Sequence, residues 1–170
     1  MPRRALIMFP EGDGLAEVEE LRRRFDPLAQ VIPAHITLVF PYVDTLSATE
    51  LQQHIRRALE HRPAFDVHIE GATEAEGEYV LLPVTRGREQ LIDLHDRLYR
   101  GPLALHRSRA HVYEPHITIG RLREESARRE ALALARAQLR PCDARLREVA
   151  VFRLESASAG AVEFTVPLTP

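Results

Sequence analysis

Apolar positions along the chain fall into two kinds of run that follow one another in a repeated order. Leu6-Ile7-Met8-Phe9, closed by Pro10, and Tyr79-Val80-Leu81-Leu82, closed by Pro83, are short continuous apolar stretches of strand length. Each is followed by a segment with apolar residues at helical spacing. The first carries Leu15, Val18, Leu21 or Arg22, and Phe25; the second carries Leu91, Leu94 and Leu98. Asp26-Pro27 and Gly101-Pro102 supply the stops. After each helix and an irregular stretch comes a strand that begins just past a proline, Pro-Ala-His-Ile-Thr-Leu at 33–38 and Pro-His-Ile-Thr-Ile at 115–119.

The parallel continues downstream. Ser47 with Glu50 predicts a capping box for a helix carrying Leu51, Ile55 and Leu59, and residues 124–139 supply a second helix at the equivalent place. Both run into Arg-Pro, at 62–63 and 140–141, and then into a strand. Phe65 to Glu70 alternates cleanly; Leu146 to Phe152 does so less cleanly. Turns at Glu76-Gly77 and Ala159-Gly160 predict closing strands that end at Pro83 and Pro167. Residues 3–83 and 79–168 thus read as two copies of one unit sharing the Tyr79–Pro83 strand, within a single two-lobed domain spanning 1–170. The expected class is α+β, with two mainly antiparallel sheets, helices on their outer faces and a central cleft between them.

Composition narrows the ligand. A net charge of −2 and a pI near 6.5 disfavour a broad electrostatic grip on long nucleic acid, so a small ligand or one RNA end fits better. All 23 basic residues are arginine. Cys142 stands alone and reads as a small core residue, so no internal disulfide is expected. The apolar run from Ala5 to Pro10 is too short for a signal segment, and no stretch reaches the length of a membrane span. A soluble, cytoplasmic, monomeric protein is the expectation. Glu11-Gly12-Asp13-Gly14 lacks the lysine and spacing of a phosphate loop and reads as a turn.

The chemistry lies in the doubled His-x-Thr strand. Residues i and i+2 of a strand share a face, so His35 projects with Thr37 and His116 with Thr118, while Ile36, Leu38, Ile117 and Ile119 face the core. Two imidazoles that titrate near neutrality can hold one proton and lack another, as displacement at phosphorus requires. Hydroxyls beside them can donate to non-bridging oxygens. Zinc binding is the competing use of paired histidines, but neither motif has a second ligand at His-x-His spacing, and Glu114 is expected to point away by alternation.

His35-Ile36-Thr37-Leu38 and His116-Ile117-Thr118-Ile119, in a doubled scaffold, resemble the two-histidine phosphoesterase superfamily. Within it, the chain is similar to the bacterial 2′-5′ RNA ligase and RNA 2′,3′-cyclic phosphodiesterase group. The resemblance spans essentially the whole chain. It implies a bilobal α+β fold, no metal and no cofactor, and a cleft where both motifs meet a phosphate. It further implies His35 as proton donor to the leaving oxygen, His116 as proton acceptor, and Thr37 and Thr118 as phosphate-oxygen donors. Arg121 matches a basic position that follows the second motif. The continuation Val39-Phe40-Pro41-Tyr42 departs from the RNA-processing branch.

Phe40, Tyr42 and Tyr113 are candidates for base stacking, and Arg107 and Arg109 for guiding a phosphate. His54, His61, His68, His95, His106 and His111 have no counterpart in the repeat and read as surface or packing residues. Three functions remain open: a cyclic phosphodiesterase acting on an RNA 3′ end or a nucleotide, with reversible 2′-5′ joining; the same chemistry on a small nucleotide such as cyclic ADP-ribose phosphate or a 2′-5′ oligonucleotide; and a non-catalytic binder of RNA ends.

Overall fold

A computed structural model describes residues 1–170. The order of elements is β1 (Arg3–Met8), α1 (Leu15–Phe25), β2 (Ile36–Val43), α2 (Ala48–Ala58), β3 (Phe65–Ile69), β4 (Thr73–Ala75), β5 (Tyr79–Arg86), α3 (Arg88–Leu98), β6 (His116–Arg121), α4 (Glu125–Gln138), β7 (Cys142–Leu146), β8 (Glu148–Ser156) and β9 (Ala159–Pro167). Short 3-10 segments cover Pro27–Gln30 and Gly101–His106. The class is α+β. The helical faces read from the sequence are the buried ones: Val18, Leu21 and Phe25, then Leu51, Ile55 and Leu59, then Leu91, Leu94 and Leu98 join one core. Ser47 and Glu50 form the expected capping box on α2, a device that contributes about 1 kcal/mol to a helix N-terminus.

All pairings are antiparallel, and the strands run β7-β3-β5-β6-β2-β1-β8-β9 with β4 attached to β5. The two expected sheets are therefore halves of one continuous path. They are joined where β2 meets β6 through a single residue pair, Ile36 with Ile117. The order β6-β5-β3-β7 on one side mirrors β2-β1-β8-β9 on the other. Helices α1 and α4 pack behind β6, and α2 and α3 belong to the half that contains β2.

The halves in space are not the halves in sequence. β3 belongs to the first unit along the chain but stands between β5 and β7 in the half that contains β6, and β8 and β9 belong to the second unit but stand beside β1 in the half that contains β2. Each unit thus sends strands into the other half. The imperfect alternation from Leu146 to Phe152 has the same cause: the stretch is two strands, β7 ending at Leu146 beside β3 and β8 starting at Glu148 beside β1. The Glu76-Gly77 turn is present, with φ of 53° and 70°. The second turn lies at Ala157-Ser158, and Ala159-Gly160 opens β9. Gly160 is required by contact instead of by turning, since a Cβ there would sit 2.5 Å from the Phe152 ring.

Two β-bulges fall at equivalent places. Leu6 pairs with Val39 while Ile7 pairs with Thr37, and Val80 pairs with Gly120 while Leu81 pairs with Thr118, so Leu38 and Ile119 are each the extra residue. An inserted residue reverses the faces downstream of it. Leu38 and Val39 are consequently both buried, and Phe40 turns to the open side.

Candidate functional site

The His-x-Thr motifs meet at the junction of the two half-sheets. Because Ile36 opposes Ile117 in an antiparallel pair, the register places His35 beside Thr118 and Thr37 beside His116. Ile36 and Ile117 are fully buried, whereas the four motif side chains are partly accessible on the other face. The strand-alternation argument therefore yields one quartet, two imidazoles and two hydroxyls arranged around a pseudo-twofold axis.

Both imidazoles are oriented the same way. His35 Nδ1 donates to the Pro33 carbonyl at 2.8 Å, and His116 Nδ1 donates to the Glu114 carbonyl at 2.7 Å, in each case two residues upstream. A proton fixed on Nδ1 leaves Nε2 with no protein partner and free to accept or give one. Burial, the largest influence, pulls both histidines below the ordinary imidazole pKa, opposed by the carbonyl hydrogen bonds. Their charged neighbours differ. Arg22 and His116 lower His35 further while Asp26 raises it; Glu114 and Glu76 raise His116.

Behind His35 lies a fully buried arginine. Arg22 donates to Asp26 at 2.9 and 3.2 Å, to Glu19 at 3.2 Å and to the Ile32 carbonyl at 3.0 Å, while Glu19 also accepts from the Ala34 amide. This network holds the 32–35 segment whose Pro33 carbonyl orients the imidazole. Removing Asp26 would leave a buried charge without its main partner, a change that costs roughly 3–5 kcal/mol.

A cavity of about 490 Å³ opens beside the quartet. Thr37, His116 and Thr118 line it, with His35 adjacent through its place beside Thr118. One wall is the β4–β5 hairpin with Glu76, Tyr79 and Leu81; the other is the segment after α3 with His106, Arg107, Val112 and Tyr113. Phe40, 47% exposed, lies at the mouth as a stacking candidate should.

The remaining candidates are placed elsewhere or otherwise engaged. Tyr42 belongs to the core, because a second irregularity in the β1–β2 register turns it inward, and its ring lies 4.9 Å from His106. Arg121 is outside the cavity, bonded to Glu78 at 3.3 Å and lying over the Tyr79 ring. The Tyr113 ring is stacked on His95 at 3.8 Å and its hydroxyl donates to the Thr37 carbonyl, so it is committed to packing. Arg107 lines the cavity but is paired with Asp96 at 2.6 Å; Arg109 does not line it.

Sequence reasoning missed several lining residues, Glu76 and Tyr99 among them. His95, His106 and His111, read as surface or packing side chains, all line the cavity, as does Glu114, which precedes the strand start and so escapes its alternation. The density of histidine and arginine between residues 106 and 111 was the available signal. No three His, Cys, Asp or Glu side chains are grouped to hold a metal ion.

The sequence model of the 2′-5′ RNA ligase superfamily matches residues 10–157, and the chain belongs to that family. A protein of Oceanobacillus iheyensis, provisionally named a phosphoesterase, is 28% identical over 122 residues, covering 67% of each chain. Another so named, from Bacillus pumilus, is 26% identical over 116 residues at the same coverage. Among solved structures, E. coli LigT complexed with 3′-AMP superimposes with a TM-score of 0.66 over 100% of both chains at 18% identity, a likeness of fold. A crystal structure described as a phosphoesterase gives 0.63 over 100% of both chains, also at 18% identity.

Proposed function

We propose that this chain is a metal-independent phosphodiesterase that opens a ribose 2′,3′-cyclic phosphate at an RNA 3′ end or on a nucleotide, with reversible 2′-5′ joining when a 5′-hydroxyl takes the place of the attacking water. The carrying observation is the symmetric quartet: two imidazoles, each fixed with Nδ1 protonated and Nε2 free, alternating with two threonine hydroxyls around one point. A binder of RNA ends needs no such titrating pair.

In this reading the phosphate sits over the quartet, and Thr37 and Thr118 donate to its non-bridging oxygens. Neutral His116 takes a proton from the attacking water through Nε2 as the new P–O bond forms. Charged His35 gives its Nε2 proton to the ribose oxygen as the old P–O bond breaks. One proton enters and one leaves the pair, so a ring-opened monoester is released and the histidines have exchanged protonation states. The substrate's negative charge favours the charged imidazole that burial disfavours in the free protein. The assignment of donor and acceptor follows the family resemblance.

A second reading keeps the chemistry and changes the substrate to a small nucleotide, such as cyclic ADP-ribose phosphate or a 2′-5′ oligonucleotide. It is supported by the cavity, whose 490 Å³ lies within the range typical of small-ligand sites. No helix is long and apolar enough to cross a membrane; a cytoplasmic monomer completes the proposal. Turnover on a panel of cyclic phosphates and linear 2′-5′ and 3′-5′ dinucleotides tests it, the cyclic substrates being hydrolysed fastest. Activity should survive exhaustive EDTA treatment. A loss restored specifically by a divalent metal would overturn the two-histidine mechanism.

A further inference from the structure

Beyond Ile36, β2 leaves β6, and that edge of the strand has no strand partner. Three backbone groups of β2 between Thr37 and Phe40 find side-chain partners there instead. The Thr37 carbonyl accepts from Tyr113 Oη at 2.8 Å, the Leu38 carbonyl accepts from His95 Nδ1 at 2.7 Å, and the Phe40 amide donates to Tyr99 Oη at 3.0 Å. The three rings form one packed unit. His95 and Tyr113 stack at 3.8 Å with 2° between planes, and Tyr99 meets His95 edge-on at 4.8 Å. All three also line the cavity beside Thr37. The unit draws on α3 and on the segment before β6, so it ties both elements of the second sequence unit to the first motif strand.

We propose that Tyr113, His95 and Tyr99 are positioning residues that replace strand pairing along the free edge of β2 and fix Thr37 where its hydroxyl meets the phosphate. A strand edge held only by water could slide or twist by fractions of an ångström, and displacements of that size at a reacting centre cost large factors in rate. Tyr113 acts most directly, because its bond ends on the carbonyl of Thr37 itself. Burial raises its hydroxyl far above the ordinary phenol pKa, which keeps the donor protonated at every working pH. His95 contributes through two separable properties, the Nδ1 donor and the ring face against Tyr113.

This inference rests on the phosphodiesterase reading, and its test separates the two. Tyr113→Phe keeps the stacked ring and deletes the bond to Thr37; it should lower kcat by about three- to thirtyfold with KM nearly unchanged, a fraction of the effect of losing a transition-state donor outright. In a Thr37→Val background the same substitution should have little further effect, because the hydroxyl it positions is gone. In a Thr118→Val background its effect should persist in full. For His95, Asn retains a donor near the Nδ1 position and Leu does not, so His95→Asn should keep several times the kcat of His95→Leu. Should His95→Leu fail to fold, the Tyr113 cycle stands alone. Equal effects of Tyr113→Phe in the wild-type and Thr37→Val backgrounds, or a wild-type kcat in Tyr113→Phe, would overturn the positioning role while leaving the phosphodiesterase intact. A wild-type protein inactive on every phosphodiester would overturn the underlying reading instead.

Discussion

The two halves of the cleft share a motif but differ in what surrounds it. On the β2 side the open face of the sheet is filled: Ile7, Ala150 and Phe152 form a small second core capped by Ile32 from the segment that precedes His35. That segment, residues 26–35, is short and pinned by Arg22 and Glu19. On the β6 side the corresponding segment, residues 99–115, is longer, and a cavity opens between it and the β4–β5 hairpin. Behind the first histidine lies a buried cation; beside the second lie two carboxylates. The duplicated parts, strand, bulge and anchored imidazole, supply a symmetric chemical centre. The unduplicated parts shape the cavity and set the charges around each imidazole.

The most severe way to break this comparison is to remove one half's imidazole. His35→Ala and His116→Ala should each lower kcat by about 10²–10⁴-fold, the range for losing a positioned acid or base, with unchanged circular dichroism. His68→Ala should do little, because His68 is tied to Asp143 at 2.8 Å on β3 and takes no part in the cavity. Nearly full activity in either motif variant would mean that the cleft works from one side only. A substrate with a nitrophenolate leaving group should rescue His35→Ala far more than His116→Ala if His35 is the acid; the opposite pattern would exchange their roles.

The next test asks whether the hydroxyls are as symmetric as the imidazoles. Thr37→Val and Thr118→Val preserve side-chain shape and β-propensity, and each should reduce turnover by about ten- to a thousandfold. Comparable losses would show that both halves grip the phosphate. Wild-type rates in one variant would leave its hydroxyl pointing away from the substrate.

How much of this was legible in the sequence follows the same division. The motif strands, the helical faces and the Ser47 cap are set by local periodicity and local hydrogen bonds, and they could be read from positions such as Leu91, Leu94 and Leu98. The exchange of β3 and β8 between halves is a matter of long-range pairing, which alternation along one strand does not encode. Arg147, where the chain passes from one half to the other, looks like any polar position in a strand. The bulges at Leu38 and Ile119 defeat face assignment downstream, which is why Phe40 and Tyr42 could not be told apart as cavity and core residues. Irregular segments have no period at all. His106, His111 and Glu114 therefore became visible as lining residues only when the second loop was seen folded against the hairpin.

The gentlest expected change distinguishes the two histidines by their surroundings alone. In the ligand-free protein both imidazoles lie below the ordinary value of about 6.5, chiefly through burial. The bell for kcat/KM, which reports the free enzyme, should therefore have its maximum on the acid side of that value. Glu76 lines the cavity and is one of the two carboxylates that raise His116. Glu76→Gln removes that charge, so the proton on His116 becomes less stable and its pKa falls further. His35 has no such dependence on Glu76 and should stay where it is. If His116 is the base, it must be neutral to act, and a lower pKa extends the active range downward: the acidic limb moves to lower pH while the alkaline limb stays. If His116 is the acid, it must be charged, and the alkaline limb moves to lower pH instead. The limbs report the coupled pair and not single residues, but the perturbation enters on one side only, so the limb that moves identifies the role. A profile that does not move at all would show that the Glu76 charge, which lies 3.4 Å from His111 Nδ1, does not reach His116 and that the electrostatic difference between the two halves does not reach the chemistry.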